Sequence, residues 1–138
     1  MADKISPERR SANMRAIRSS DMKPEVLVRR IAHGLGYRFR LHRRDLPGRP
    51  DLVFPGRRKV IFVHGCFWHQ HQKSDCRDAR LPKSNISYWI PKLQRNVARD
   101  ATAIDRLCRT GWRCMVVWEC EVRNVDAVTS RIARFLGG

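Results

Sequence analysis

Apolar positions recur along this chain with two spacings, and each change of spacing marks the start of a new element. Leu27, Ile31 and Leu35 fall at steps of four, with Val28 and Ala32 beside them, which predicts an amphipathic helix. Asp21 is its expected cap, Pro24 lies in its first turn with Glu25 beside it, and Gly34 and Gly36 end it. The run Tyr37-Arg-Phe-Arg-Leu41 then alternates apolar and polar, the signature of a half-buried strand. After a turn at Asp45-Leu-Pro-Gly-Arg-Pro50, two apolar runs, 51–54 and 60–63, flank Pro55-Gly56 and predict a hairpin. Residues 64–85 are rich in turn formers and hold three of the five histidines.

From about Ser87 to Arg109 the helical spacing returns in Ile90, Leu93, Val97, Ile104 and Cys108, with Ala101 filling the gap. Pro91 is tolerable there because it falls near the first turn, and Gly111 stops the helix. Trp112 to Trp118 reads as a buried strand. Val125, Val128, Ile132 and Phe135 mark a closing helix capped by Asn124. The order helix, three strands, helix, strand, helix predicts an α/β sandwich around a mixed sheet. Residues 1–20 form a basic arm, on which Met14 and Ile17 can share one helical face, and residues 21–138 form a single domain.

Composition narrows the partner. The 138 residues are enough for one domain, and 42% hydrophobic content is too apolar for a disordered basic tail. Against 13 Asp and Glu stand 29 Lys and Arg, a net charge of +16. Phosphate backbones are the commonest partner for such a charge, through neutralisation and counterion release. A membrane surface is disfavoured, because no amphipathic helix has a mostly basic polar face. No run of 18 apolar residues exists and the N-terminus lacks a signal-like stretch, so a cytoplasmic location is expected. In that compartment cysteines 66, 76, 108, 114 and 120 point to metal binding or packing rather than disulfides.

Three sets of residues carry candidate chemistry. Cys66, His71 and Cys76, five residues apart, with Cys120 far downstream, make a tetrahedral Zn²⁺ set of the structural kind. Scattered cysteines and a surface histidine are the bland alternative, while Cys108 and Cys114 read as packing residues. Among the few acids, Asp51 opens a strand directly after Pro50, and Glu25 either serves a site or complements a helix dipole. His64 and His69 flank Cys66-Phe67-Trp68. A carboxylate at one strand end can share Mg²⁺ with a group on the hairpin partner while a histidine takes the proton from water. Finally, Phe67, Trp68, Tyr88 and Trp89 stand amid positive charge, fit either for wedging between base pairs or for a small core over the zinc.

These residues resemble the very-short-patch-repair (Vsr) DNA mismatch endonucleases. The run Phe62-Val-His-Gly-Cys-Phe-Trp-His-Gln-His71 carries the likeness most strongly. Ser11-Ala-Asn-Met-Arg-Ala-Ile17, Leu46-Pro-Gly-Arg-Pro-Asp51, Pro82-Lys-Ser-Asn85, Tyr88-Trp89, Arg95-Asn96, Arg99-Asp100, Gly111-Trp112 and Val117-Trp-Glu-Cys120 match in the same order. The resemblance implies the restriction-endonuclease-like three-layer sandwich with a structural zinc. It implies a Mg²⁺-dependent nick 5′ to the thymine of a T·G mismatch left by deamination of 5-methylcytosine. Asp51 and the main-chain oxygen of Val63 would bind Mg²⁺, His69 would be the general base, and His64 and Glu25 would support them. Cys66, His71, Cys76 and Cys120 would hold zinc. Phe67, Trp68 and Trp89 would wedge into the duplex, and Met14 would approach from the minor groove. The expected partner is double-stranded DNA with such a mismatch, with a mismatch-repair protein as a further candidate; a monomer at the bacterial nucleoid is expected. Two rival readings stand beside this one: a restriction-like nuclease of another specificity, and a zinc-stabilised nucleic-acid-binding protein without activity.

Overall fold

A computed structural model describes residues 23–41, 43–71 and 76–137. The expectations for the 1–20 arm, Met14, Ile17 and the Asp21 cap lie outside the described residues. Helix α1 (Pro24–Gly34) opens with proline in its first turn, where a missing N–H costs nothing, and buries Leu27, Val28, Ile31 and Ala32. Strands β1 (Arg40–Leu41), β2 (Leu52–Phe54) and β3 (Lys59–His64) follow. Next come a one-turn helix, α2 (Cys66–His69), and the long α3 (Ile86–Arg109). Strand β4 (Arg113–Trp118) and helix α4 (Val125–Gly137) close the chain, with Asn124 Oδ1 accepting the Ala127 N–H as expected of a cap.

The sheet order is β1-β2-β3-β4, with the first two pairings antiparallel and β3–β4 parallel, which is the mixed sheet that the order of elements predicts. Alternation along the strands sorts two cores. Leu52, Phe54, Ile61, Met115 and Val117 pack with α1 and α4 on one face. Val53, Val60 and Phe62 pack with Leu107 of α3 on the other, backed by Cys114 and Val116. Helices therefore cover both faces of the sheet.

Two expectations need correction. The strand predicted over 37–41 is paired only at Arg40–Leu41, because Tyr37 has already turned into the main core, its ring edge-on to Phe54. Within the turn-rich 64–85 segment, Cys66–His69 forms one helical turn. Cys108 is exposed rather than on the core stripe; the buried positions of α3 are Leu93, Ala103 and Leu107.

Two contacts tie the frame together. At the C-terminal end of α4, the Lys59 ammonium donates to Phe135 O (2.6 Å) and the Arg57 guanidinium to Leu136 O (3.0 Å), so cations cap the unsatisfied carbonyls. Burial, then the nearby Arg113 and Arg57 charges, lowers the Lys59 pKa. Gly48 brings the 45–50 turn onto α3: a Cβ there would stand 2.7 Å from Ala103 Cβ, and its φ of +75° disfavours any L side chain. Gly48→Ala is therefore expected to cost about 1–3 kcal/mol, read as a lower denaturant midpoint at unchanged slope.

Candidate active site

Strand register decides where the chemistry collects. Leu52 pairs with Ile61 and His64 with Trp118, so the start of β2 and the ends of β3 and β4 share one end of the sheet. Asp51 lies just ahead of β2, and its Oδ2 accepts the Val63 N–H at 2.6 Å. A cavity of about 220 Å³ opens beside it, lined by Glu25 from the first turn of α1, by Val63, His64 and Gly65, and by Glu119 just after β4. Glu25 also lies 3.6 Å from Arg29, a loose pairing on its own helix. Glu25 and Glu119 line this cavity and Asp51 stands behind its Val63 wall; carboxylate oxygens are the donors that a hard cation such as Mg²⁺ takes.

His64 is 5% exposed, and its ring stacks on that of His69 at 3.9 Å and 7°. Its Nδ1 is buried without a hydrogen-bond partner among the described residues. A buried orphan of this kind marks a place where water or a ligand completes the set. Burial, reinforced by the charge on His69 and only partly opposed by Asp100, pushes the His64 pKa down to about 4. Because the folded value lies below the ordinary 6.5, the neutral ring contributes stability that is present above pH 6.5 and lost as pH falls toward 4. Imidazole NMR is expected to give a His64 midpoint near 4, and urea unfolding a lower midpoint at pH 4.5 than at pH 7; a His64 midpoint at 6.5 would contradict both.

His69 ends α2, and its Nδ1 lies 2.6 Å from Asp100 Oδ2 on α3. An ionised carboxylate can only accept, so Nδ1 carries the proton and donates. Nε2 is then left with its lone pair, the tautomer a general base needs.

Cys66, His71, Cys76 and Cys120 meet on the other side of α2, with their ligand atoms all within 4.8 Å of one another. His71 Nδ1 lies 3.4 Å from Cys120 Sγ and 3.8 Å from Cys66 Sγ, and Cys76 and Cys120 Sγ are 4.0 Å apart. A tetrahedron with Zn–S of about 2.3 Å and Zn–N of about 2.0 Å has edges of roughly 3.8 Å between sulfurs and 3.5 Å between nitrogen and sulfur, so the donor set fits zinc. Burial pushes the Cys66 thiol up to about 12, so it takes a cation to hold this site as thiolates. The Cys66 N–H donates to Glu119 Oε1 at 3.3 Å, tying the cysteine cluster to the cavity wall.

The aromatic residues form a set of their own. Phe67, Trp68 and Trp89 meet edge to face at centroid distances of 5.3, 5.3 and 5.7 Å, and Tyr88 joins Trp89 at 5.0 Å. Trp68 is 46% and Tyr88 58% exposed, so this is a surface cluster. The ring stacked on His71 is that of Trp118, at 4.3 Å.

Of the residues singled out from the sequence, the fold thus gathers Asp51, Val63, His64 and Glu25 around one sheet end, with His69 stacked on His64. It completes the cysteine–histidine set and clusters Phe67, Trp68 and Trp89. Met14 is outside the described residues. Asp100 and Glu119 were not among the expected site residues. Asp100 had a legible signal, being an acid three to four residues from Asn96, Val97, Ala103 and Ile104, on the inward side of α3.

A mixed α/β domain that sets the Asp51 carboxylate at the sheet end that also carries a histidine–carboxylate pair, on a chain of charge +16, has the parts of a nuclease. Residues 2–76 match the family described as DNA mismatch endonuclease Vsr. The chain is 52% identical over 136 residues to the type II nicking enzyme V.XorIIP of Xanthomonas oryzae pv. oryzae, covering 99% of this chain and 98% of that protein. It is 40% identical over 143 residues to the DNA mismatch endonuclease Vsr of Escherichia coli K12, covering 100% of this chain and 90% of the relative. To the type II nicking enzyme V.NmeAIP of Neisseria meningitidis it is 37% identical, covering 99% and 95%. The chain belongs to the Vsr DNA mismatch endonuclease family, and it is a DNA endonuclease.

Proposed function

We propose that the protein nicks duplex DNA 5′ to the thymine of a T·G mismatch, the lesion left when 5-methylcytosine deaminates, using Mg²⁺ held by Asp51 and the main-chain oxygen of Val63. The observation that carries the reading is the single turn Cys66–His69. It sets Phe67 and Trp68 of the surface aromatic cluster immediately before His69, itself paired with Asp100. Wedge and base are thereby one rigid unit. A wedge costs a few kcal/mol of unstacking, and least where pairing is already weak, so a mispair is favoured before any base edge is read.

When bound at Asp51, Mg²⁺ supplies charge stabilisation to the phosphate and acidifies its water. The Val63 N–H holds the Asp51 carboxylate in place, and Asp100 keeps the His69 Nε2 lone pair free to take a proton from the attacking water. Neutral His64 supports His69 by stacking without adding charge, and Glu25 borders the cavity from α1. Zinc at Cys66, His71, Cys76 and Cys120 has a structural role, since four protein donors leave it no open position.

The test is strand-specific nicking of a T·G duplex against matched and other mispaired duplexes, with and without Mg²⁺. Nicking 5′ to the thymine only with the mismatch and Mg²⁺ is expected. Preference for a matched site would move the reading to a restriction-like nuclease of another specificity.

A further inference from the structure

A second cleft, of about 700 Å³, lies between the 45–50 turn and α3 and is lined by Gly48, Arg95, Arg99, Asp100, Thr102 and Arg106 among others. Arg95, Arg99, Thr102 and Arg106 recur at steps of four, three and four, so they share one face of α3, a basic polar face on an amphipathic helix where the sequence pattern predicts none. From Arg95 to Arg106 that face runs about 16 Å at 1.5 Å per residue. One strand of duplex DNA carries a phosphate per roughly 3.4 Å of axis, so the face can meet several.

The charges here are uncompensated. Arg43, Arg109, Arg123 and Arg131 each face a carboxylate, but among the described residues Arg95, Arg99 and Arg106 pair with none. All three are exposed, and the one acid in the wall, Asp100, is engaged by His69 at 2.6 Å. The opposite wall is set by backbone: Gly48 packs against Ala103 and Phe62 so closely that no side chain fits between, which fixes the width of the cleft. A rigid slot with guanidinium groups along one wall, touching the histidine-bearing carboxylate at one point, suits a sugar–phosphate chain.

Resting on the nuclease reading above, we propose that this cleft clamps the backbone of the nicked strand next to the cleavage position, with Arg95, Arg99 and Arg106 as its phosphate ligands. Such phosphate binding carries no sequence information. It gives affinity and register to every duplex alike, leaving mismatch selection to the aromatic cluster.

The experiment is fluorescence anisotropy on T·G and matched duplexes without divalent metal, over a range of salt, for wild type and Arg95→Gln/Arg99→Gln/Arg106→Gln. The variant is expected to bind both duplexes about 10- to 100-fold more weakly at moderate salt. Its slope of log K against log salt should be shallower by about 0.9 for each phosphate that is no longer neutralised, roughly two to three in all. The ratio of T·G to matched affinity should stay within about twofold of wild type. Arg134→Gln, on α4 across the sheet, should leave the slope unchanged. If the triple variant melts early, single Arg99→Gln should lower the slope by about one. An unchanged slope in a folded variant overturns the clamp, as does a loss confined to the mismatched duplex. A wild-type protein that binds with a steep, arginine-dependent salt slope but does not nick the T·G duplex would overturn the T·G reading and leave phosphate binding by this face standing.

Discussion

Asp51→Ala is expected to slow nicking of a T·G duplex by at least ~100-fold while leaving affinity for that duplex within about threefold. The carboxylate stands just before β2 and contributes nothing to the aromatic cluster or to the arginine face, so binding has no reason to follow activity. Its Oδ2 accepts the Val63 N–H at 2.6 Å, and alanine would orphan that donor at a cost of about 1–3 kcal/mol. Asp51→Asn separates the two effects, because a carboxamide oxygen still accepts but brings no charge to a cation. Single-turnover nicking should therefore be lost in both variants, whereas the thermal midpoint should fall mainly in the alanine variant. Nicking by Asp51→Asn within tenfold of wild type would remove Asp51 from the metal site.

Cys120→Ala is expected to drop bound zinc from one per chain to well below half, and to lower the melting midpoint by at least ~10 °C. Cys120 follows β4 while Cys66 follows β3, so this ligand set joins two strand ends to the segment beyond α2. That segment has few apolar residues, and its binding free energy is therefore largely folding free energy. Because Cys66 also anchors the turn bearing Phe67, Trp68 and His69, activity should fall with the metal. Cys108→Ala is the matched control, an exposed thiol outside the set, expected to keep its zinc and to melt within about 2 °C of wild type. Elemental analysis and calorimetry read both. Full zinc in Cys120→Ala would break the proposed ligand set.

Local rules make most of the elements legible. Proline at the start of α1, the Pro55-Gly56 hairpin, Gly111 after α3 and the Asn124 cap all act through neighbouring backbone, and each stands in the fold. The two apolar runs of β2 and β3 are read locally too, and their side chains then alternate between the two cores as in any strand. On α3 the apolar pattern and the inward face share Leu93 and Ile104 but part elsewhere. Apolar character alone leads through Ala101 to Cys108, whereas the inward side takes Asp100, Ala103 and Leu107. The error in placing Cys108 and the omission of Asp100 have one cause: an acid needed by His69 occupies an inward position, and an apolar pattern steps around it.

The sequence by itself determined the types and order of the elements, the polyanion-seeking charge, the four zinc-type donors and the family. Side-chain period, turn chemistry and composition are properties of neighbours along the chain. Only the tertiary structure decided which distant residues meet. Parallel pairing of β3 with β4 brings Glu119 and Cys120 beside Gly65 and Cys66, more than fifty positions away. Packing of α3 behind α2 delivers Asp100 to His69. The turn at Gly48 closes on α3 to make the arginine cleft. Such meetings depend on strand register and helix rotation, which the packing of the whole core sets at once and no local window contains.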